Sequence, residues 1–73
     1  MYRNLKNLLD QKNISQTRLS ELLKVSEKTI YNKLLGRTDW TLQEVIKIKT
    51  FLFPEYDLNY LFRLDKSAYE QTG

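Results

Sequence analysis

The segment from Ser15 to Gly36, SQTRLSELLKVSEKTIYNKLLG, contains two helix starts and two helix stops. Ser15 precedes an apolar stripe of Leu19, Leu22 and Leu23, and its hydroxyl can accept a hydrogen bond from a free N–H of the first turn. That helix is short, near two turns, and stops around Lys24. Ser26 is a second N-cap, opening a helix over residues 27–35, and Gly36 sits where a left-handed residue closes one. Two short helices joined so tightly diverge steeply, held by Leu19, Val25, Ile30 and Leu34.

Outward from this segment the spacing stays helical. Leu5, Leu8 and Leu9 stand at i, i+3 and i+4, which predicts a first helix over about residues 2–12, ended by Asn13, with Ile14 folding back to pack. On the other side, Arg37 to Trp40 form a loop, and Thr41-Leu42-Gln43-Glu44 is a capping box. The fourth helix carries Leu42, Val45, Ile46, Ile48 and Phe51 or Leu52 as packing residues, and Pro54 breaks it. Asp57 caps a short fifth helix from Leu58 to about Arg63, with Leu58, Leu61 and Phe62 apolar. The expected organisation is one domain over residues 1–64 and a polar, flexible tail over 65–73. Of the C-terminal aromatics Phe51, Phe53, Tyr56, Tyr60 and Phe62, most belong in the core, and any left outside would mark a protein partner.

Composition narrows the function. The 73 residues allow one small core, and neither Cys nor His is present. Disulfides, thiol nucleophiles, histidine bases and the usual zinc ligands are excluded together. The nine acidic residues form no evident site, so no catalytic residue, metal or cofactor is assigned and a non-enzyme is expected. The longest purely apolar run, Phe51-Leu52-Phe53, is too short for a signal core or a membrane span, which points to a cytoplasmic protein. The net charge of +3 is uneven: residues 1–40 carry +4 and residues 41–73 carry −1. The basic end is the one to meet a polyanion.

The paired helices of the Ser15–Gly36 segment form a helix-turn-helix, in which the second helix can enter the DNA major groove, about 12 Å wide, while the first crosses the backbone. On a wheel of about 100° per residue, Ile30, Leu34, Tyr31 and Leu35 fall within roughly 140° and define the buried side. Lys28, Thr29, Asn32 and Lys33 fill the other side, with Glu27 at the N-terminal end. Lys can donate to guanine O6 and N7, Asn can pair with adenine N6 and N7, and Glu can accept from cytosine N4. These five are the candidate base contacts. Gln16 and Thr17 at the mouth of the second helix, Ser26 at the mouth of the third, and Arg37, Thr38 and the Trp40 indole N–H after it are the candidate phosphate contacts. If about four cations neutralise phosphates, affinity falls steeply with salt.

The runs Ser15-Gln16-Thr17-Arg18-Leu19-Ser20-Glu21-Leu22-Leu23, Val25-Ser26 and Thr29-Ile30-Tyr31-Asn32-Lys33-Leu34-Leu35-Gly36-Arg37 resemble the Cro/repressor-type (XRE) helix-turn-helix family. Trp40-Thr41-Leu42-Gln43-Glu44 and Leu58-Asn59-Tyr60-Leu61-Phe62 are similar to small regulators of temperate phages of Gram-positive bacteria. The resemblance covers residues 3–63. It implies an all-α, five-helix lambda-repressor-like (Cro-type) fold, binding to operator half-sites as a dimer, and a place in a lysogeny switch in the bacterial host. It also implies that Gln16 touches phosphate and that Glu27, Lys28 and Asn32 face base edges. The chain departs from the family twice. Lys24 stands where the family places Gly, and a left-handed non-Gly residue costs about 1–2 kcal/mol, which argues for a different turn. Lys33 stands where the family is apolar, which argues for a stripe rotated towards Tyr31 and Leu35.

Two functions follow from these readings. One is a sequence-specific regulator bound to double-stranded operator DNA, as a homodimer. The other is an antirepressor that pairs with a phage repressor protein and alters its operator binding. Neither involves a membrane or a small-molecule substrate.

Overall fold

Each helix starts on a residue that can satisfy the free N–H groups of a first turn, with the first helix as the exception. In the computed structural model, which describes residues 1–65, these are α1 (Arg3–Gln11), α2 (Gln16–Leu23), α3 (Glu27–Leu35), α4 (Leu42–Phe51) and α5 (Leu58–Leu61). The Ser15 hydroxyl accepts from the Arg18 N–H at 3.1 Å, and the Ser26 hydroxyl from the Thr29 N–H at 3.1 Å. Thr41 and Glu44 complete the capping box reciprocally, at 2.8 and 3.2 Å. The Asp57 carboxylate accepts from the Asn59 N–H at 2.9 Å. Tyr2 precedes α1 without a side-chain cap; its own N–H donates to the Leu34 carbonyl at 2.8 Å, tying the entry of α1 to the end of α3.

The turn after α2 departs from expectation. Lys24 adopts the left-handed conformation, φ 58° and ψ 44°, and the turn keeps the shape a Gly would give it. The Lys24 N–H closes on the Ser20 carbonyl, and the Val25 N–H donates to the same oxygen at 3.1 Å. These bonds and the packing of Leu23 against the core outweigh a backbone cost of about 1–2 kcal/mol. Asn13, also at φ 58°, does the same after α1 at lower cost, since Asn tolerates this region.

Among the described residues the ten buried apolar side chains form one cluster: Leu5, Leu8 and Leu9 of α1, Leu19 and Leu23 of α2, Ile30 and Leu34 of α3, Ile48 of α4, Phe53 and Leu61. α2 packs on α3, α1 lies against α3 and α5, and α2 also meets α4. Trp40 is seated in an aromatic group with Tyr2 and Phe62, ring centroids 5.8–6.4 Å apart and edge-on. Phe53, Tyr56 and Tyr60 form a second group.

Three residues expected to pack do not: Leu42 is 74% exposed, Ile46 51%, and Leu58 is also exposed. Of Phe51 and Leu52, Leu52 packs against the core and Phe51 is exposed. α4 turns Glu44 and Ile48 inward; Leu42 and Ile46 each lie two residues back, about 200° round the helix, and so face out. The fifth helix is also shorter than expected, ending at Leu61. Asp65, expected to begin the tail, is held to the body: its N–H donates to the Met1 carbonyl at 2.8 Å, and its carboxylate accepts from Arg3 at 3.0 Å. The rest of the expected tail, residues 66–73, lies outside the described residues.

Candidate nucleic-acid interface

α3 presents its outward side because three residues anchor its inward one. Ile30 and Leu34 are core, and Lys33 lies between them at 8% exposure. The Lys33 ammonium is paired with the Glu44 carboxylate and lies 5.8 Å from the centre of the Trp40 ring. Lys33 is therefore corrected: it faces the interior, at the position where an apolar residue was expected from the resemblance. The stripe is not rotated towards Tyr31, which is 48% exposed.

The Glu44 side chain carries two contacts: it accepts from the Lys33 ammonium and from the Thr41 N–H, while the Glu44 backbone N–H donates to the Thr41 hydroxyl. Burial pushes the carboxyl pKa up, but the Lys33 hydrogen bond and charge and the two Thr41 contacts together hold it below its ordinary value. In the sequence Glu44 is legible only as a cap; the signal for its second role is the lone Lys33 between Ile30 and Leu34, whose burial demands an acid.

With Lys33 withdrawn, the outward side of α3 holds Glu27, Lys28 and Tyr31, all exposed, and Thr29, Asn32 and Leu35, half-buried. The Asn32 Oδ1 accepts from the Arg37 guanidinium at 3.4 Å, and the Asn32 amide N–H groups have no partner among the described residues. Oδ1 keeps a second lone pair, so the side chain can still accept and donate together. Thr29 and Ser26 share a hydroxyl contact of 2.9 Å at the mouth of the helix.

The expected phosphate contacts divide. Gln16 and Thr17 open α2, half-buried and exposed, and their backbone N–H groups have no partner among the described residues. Ser26, Arg37 and Thr38 are exposed. Trp40 is corrected: its indole N–H is buried, without a partner among the described residues, so it is not available to a phosphate. The ring lies over Lys33 and against Tyr2 and Phe62, which turns the nitrogen away from solvent.

Electrostatics single out the same region. Arg3, Lys6, Lys12 and Lys33 are each paired with a carboxylate, and Lys49 donates to the Pro54 and Tyr56 carbonyls. Among the described residues the Lys and Arg side chains without an ion-pair partner are Arg18, Lys24, Lys28, Arg37, Lys47, Lys49 and Arg63. Four of these seven lie on α2, α3, the turn between them and the loop that follows. No group of three or more Asp or Glu that could hold a metal ion occurs among the described residues, and no helix there is long and apolar enough to cross a membrane.

No curated protein and no solved structure matches the chain. A family model, the Cro/C1-type HTH DNA-binding domain, matches residues 4–52, from α1 through α4 and including the whole α2–α3 unit. On that match, over described residues that fold into five helices, the chain belongs to the Cro/C1-type helix-turn-helix family of DNA-binding transcription regulators.

Proposed function

We propose that this protein is a phage-type regulator that binds operator DNA with α3 in the major groove. Lys28 and Asn32 contact base edges, with Glu27 and Thr29 beside them at the start of the helix. Gln16, Thr17, Ser26, Arg37 and Thr38 hold phosphates and set the register. The supporting observation is the placement of unpaired cations: Arg18, Lys24, Lys28 and Arg37 are exposed on α2, the turn, α3 and the loop after it, and the Asn32 amide N–H groups have no partner among the described residues. A single domain of this size offers few contacts, so two copies on two half-sites are expected. The test is selection of duplexes from a randomised library, followed by titration of the selected and a scrambled duplex over a salt series. Preference for the selected duplex, with affinity falling steeply in salt, supports the reading. No binding at about 50 mM salt, where phosphate contacts are strong, overturns it.

A second reading is favoured by a different observation. Leu42, Ile46, Phe51 and Leu58 expose apolar surface that the core leaves uncovered. An antirepressor needs such a surface to engage a phage repressor protein, as part of a heterodimer. Mixing the protein with the repressor encoded beside it and measuring the mass of the eluting species separates the readings: a heterodimer supports the second, and unchanged elution of both proteins counts against it.

A further inference from the structure

Tyr31 is the largest side chain on the outward side of α3. Its ring is about half exposed, and its hydroxyl has no hydrogen-bond partner among the described residues. The aromatic contacts of the fold join Tyr2, Trp40 and Phe62 in one group and Phe53, Tyr56 and Tyr60 in another; Tyr31 belongs to neither. On the helix it is flanked by Lys28 at i−3 and Leu35 at i+4. Tyr31 is not among the side chains packed on the core cluster, and the buried residues that anchor α3 are Ile30, Lys33 and Leu34.

The surface that α3 meets in the proposed complex carries one apolar group on its base edges, the C5-methyl of thymine. The other edge atoms are donors and acceptors suited to Lys28 and Asn32. A tyrosine ring set beside those two polar side chains complements the methyl and excludes water from it. We infer that Tyr31 is a specificity-determining residue, its ring packing on a thymine methyl and biasing one position of the half-site towards T·A. The inference rests on the reading that α3 lies in the major groove.

The experiment uses the full chain, the duplex it selects from a randomised library, and the same duplex with single thymines replaced by deoxyuridine. Wild type, Tyr31→Phe and Tyr31→Ala are titrated at one salt concentration, and thermal melting by circular dichroism confirms that each variant is folded. Loss of the methyl at one position is expected to weaken wild type and Tyr31→Phe by about fourfold, the worth of one buried methyl group. Tyr31→Ala is expected to be insensitive to deoxyuridine at that position and to select a more degenerate base there. The inference is overturned if Tyr31→Ala keeps the selectivity and methyl response of wild type, or if Tyr31→Phe loses them as Tyr31→Ala does. A wild type that selects no sequence overturns both this inference and the reading beneath it; a selective wild type with an unresponsive residue 31 overturns this inference alone.

Discussion

The ammonium of Lys33, on the inward side of α3, is paired in the interior with the carboxylate of Glu44, which also caps α4. One acid therefore joins α3, the loop after it and α4. Breaking a buried pair from one side leaves an uncompensated charge, which costs about 3–5 kcal/mol against a total stability of about 5–15 kcal/mol. Glu44→Ala is expected to lose that much in urea denaturation at pH 7. Lys33→Met with Glu44→Gln should recover part of the loss, because the pair is removed from both sides. A Glu44→Ala midpoint equal to wild type would contradict the assignment.

Acid should reveal the same carboxylate. Its folded pKa lies below the ordinary value of 4.5, so its stabilising contribution is complete above 4.5 and is lost as pH falls through the lower, folded value. The melting temperature of wild type is expected to drop over that interval. Glu44→Gln, which cannot titrate there, should start lower and show a shallower acid limb.

Lys24 offers a case in which stability and DNA affinity should move in opposite directions. Glycine removes the left-handed penalty, so Lys24→Gly is expected to gain about 1 kcal/mol in chemical denaturation. It also removes one unpaired cation from the α2–α3 face. If that cation meets a phosphate, the slope of log K against log salt should fall in magnitude by about 0.9.

For the base contacts, Asn32→Ala should cost about 1–3 kcal/mol on the selected duplex and relax preference at one base pair, with little change on scrambled DNA. Lys28→Ala should weaken both duplexes if it meets phosphate and mainly the selected one if it reads a base. Competition titrations with the two duplexes distinguish these outcomes.

Trp40→Phe checks the corrected residue. It removes a buried N–H that has no partner while keeping an aromatic ring against Tyr2 and Phe62. DNA affinity and salt slope are expected to match wild type. A loss of affinity in a fully folded variant would mean that the indole nitrogen does reach a phosphate.

Much of this was legible from residue types and short spacings. Ser15, Ser26 and the Thr41–Glu44 box mark the starts of α2, α3 and α4, because a cap is a local hydrogen bond between residues three apart. Leu5, Leu8, Leu9, Leu19, Leu23, Ile30 and Leu34 read as core from helical periodicity alone. The outward placement of Glu27, Lys28 and Asn32 follows from the same wheel.

Other features arise from contacts between elements, which local pattern does not encode. Lys33 is charged and so reads as solvated, yet an acid 11 residues away makes its burial tolerable, and that frees Tyr31 to face out. Lys24 reads as unsuited to a left-handed turn, yet packing on either side of the turn holds it there. Leu42 and Ile46 read as core, yet α4 is rotated by the partners of Glu44 and Ile48. Local propensities are worth about 1 kcal/mol or less per residue, whereas a buried ion pair or a packed core side chain is worth several times that, so at these positions the assembled fold prevails over the chain's local preferences.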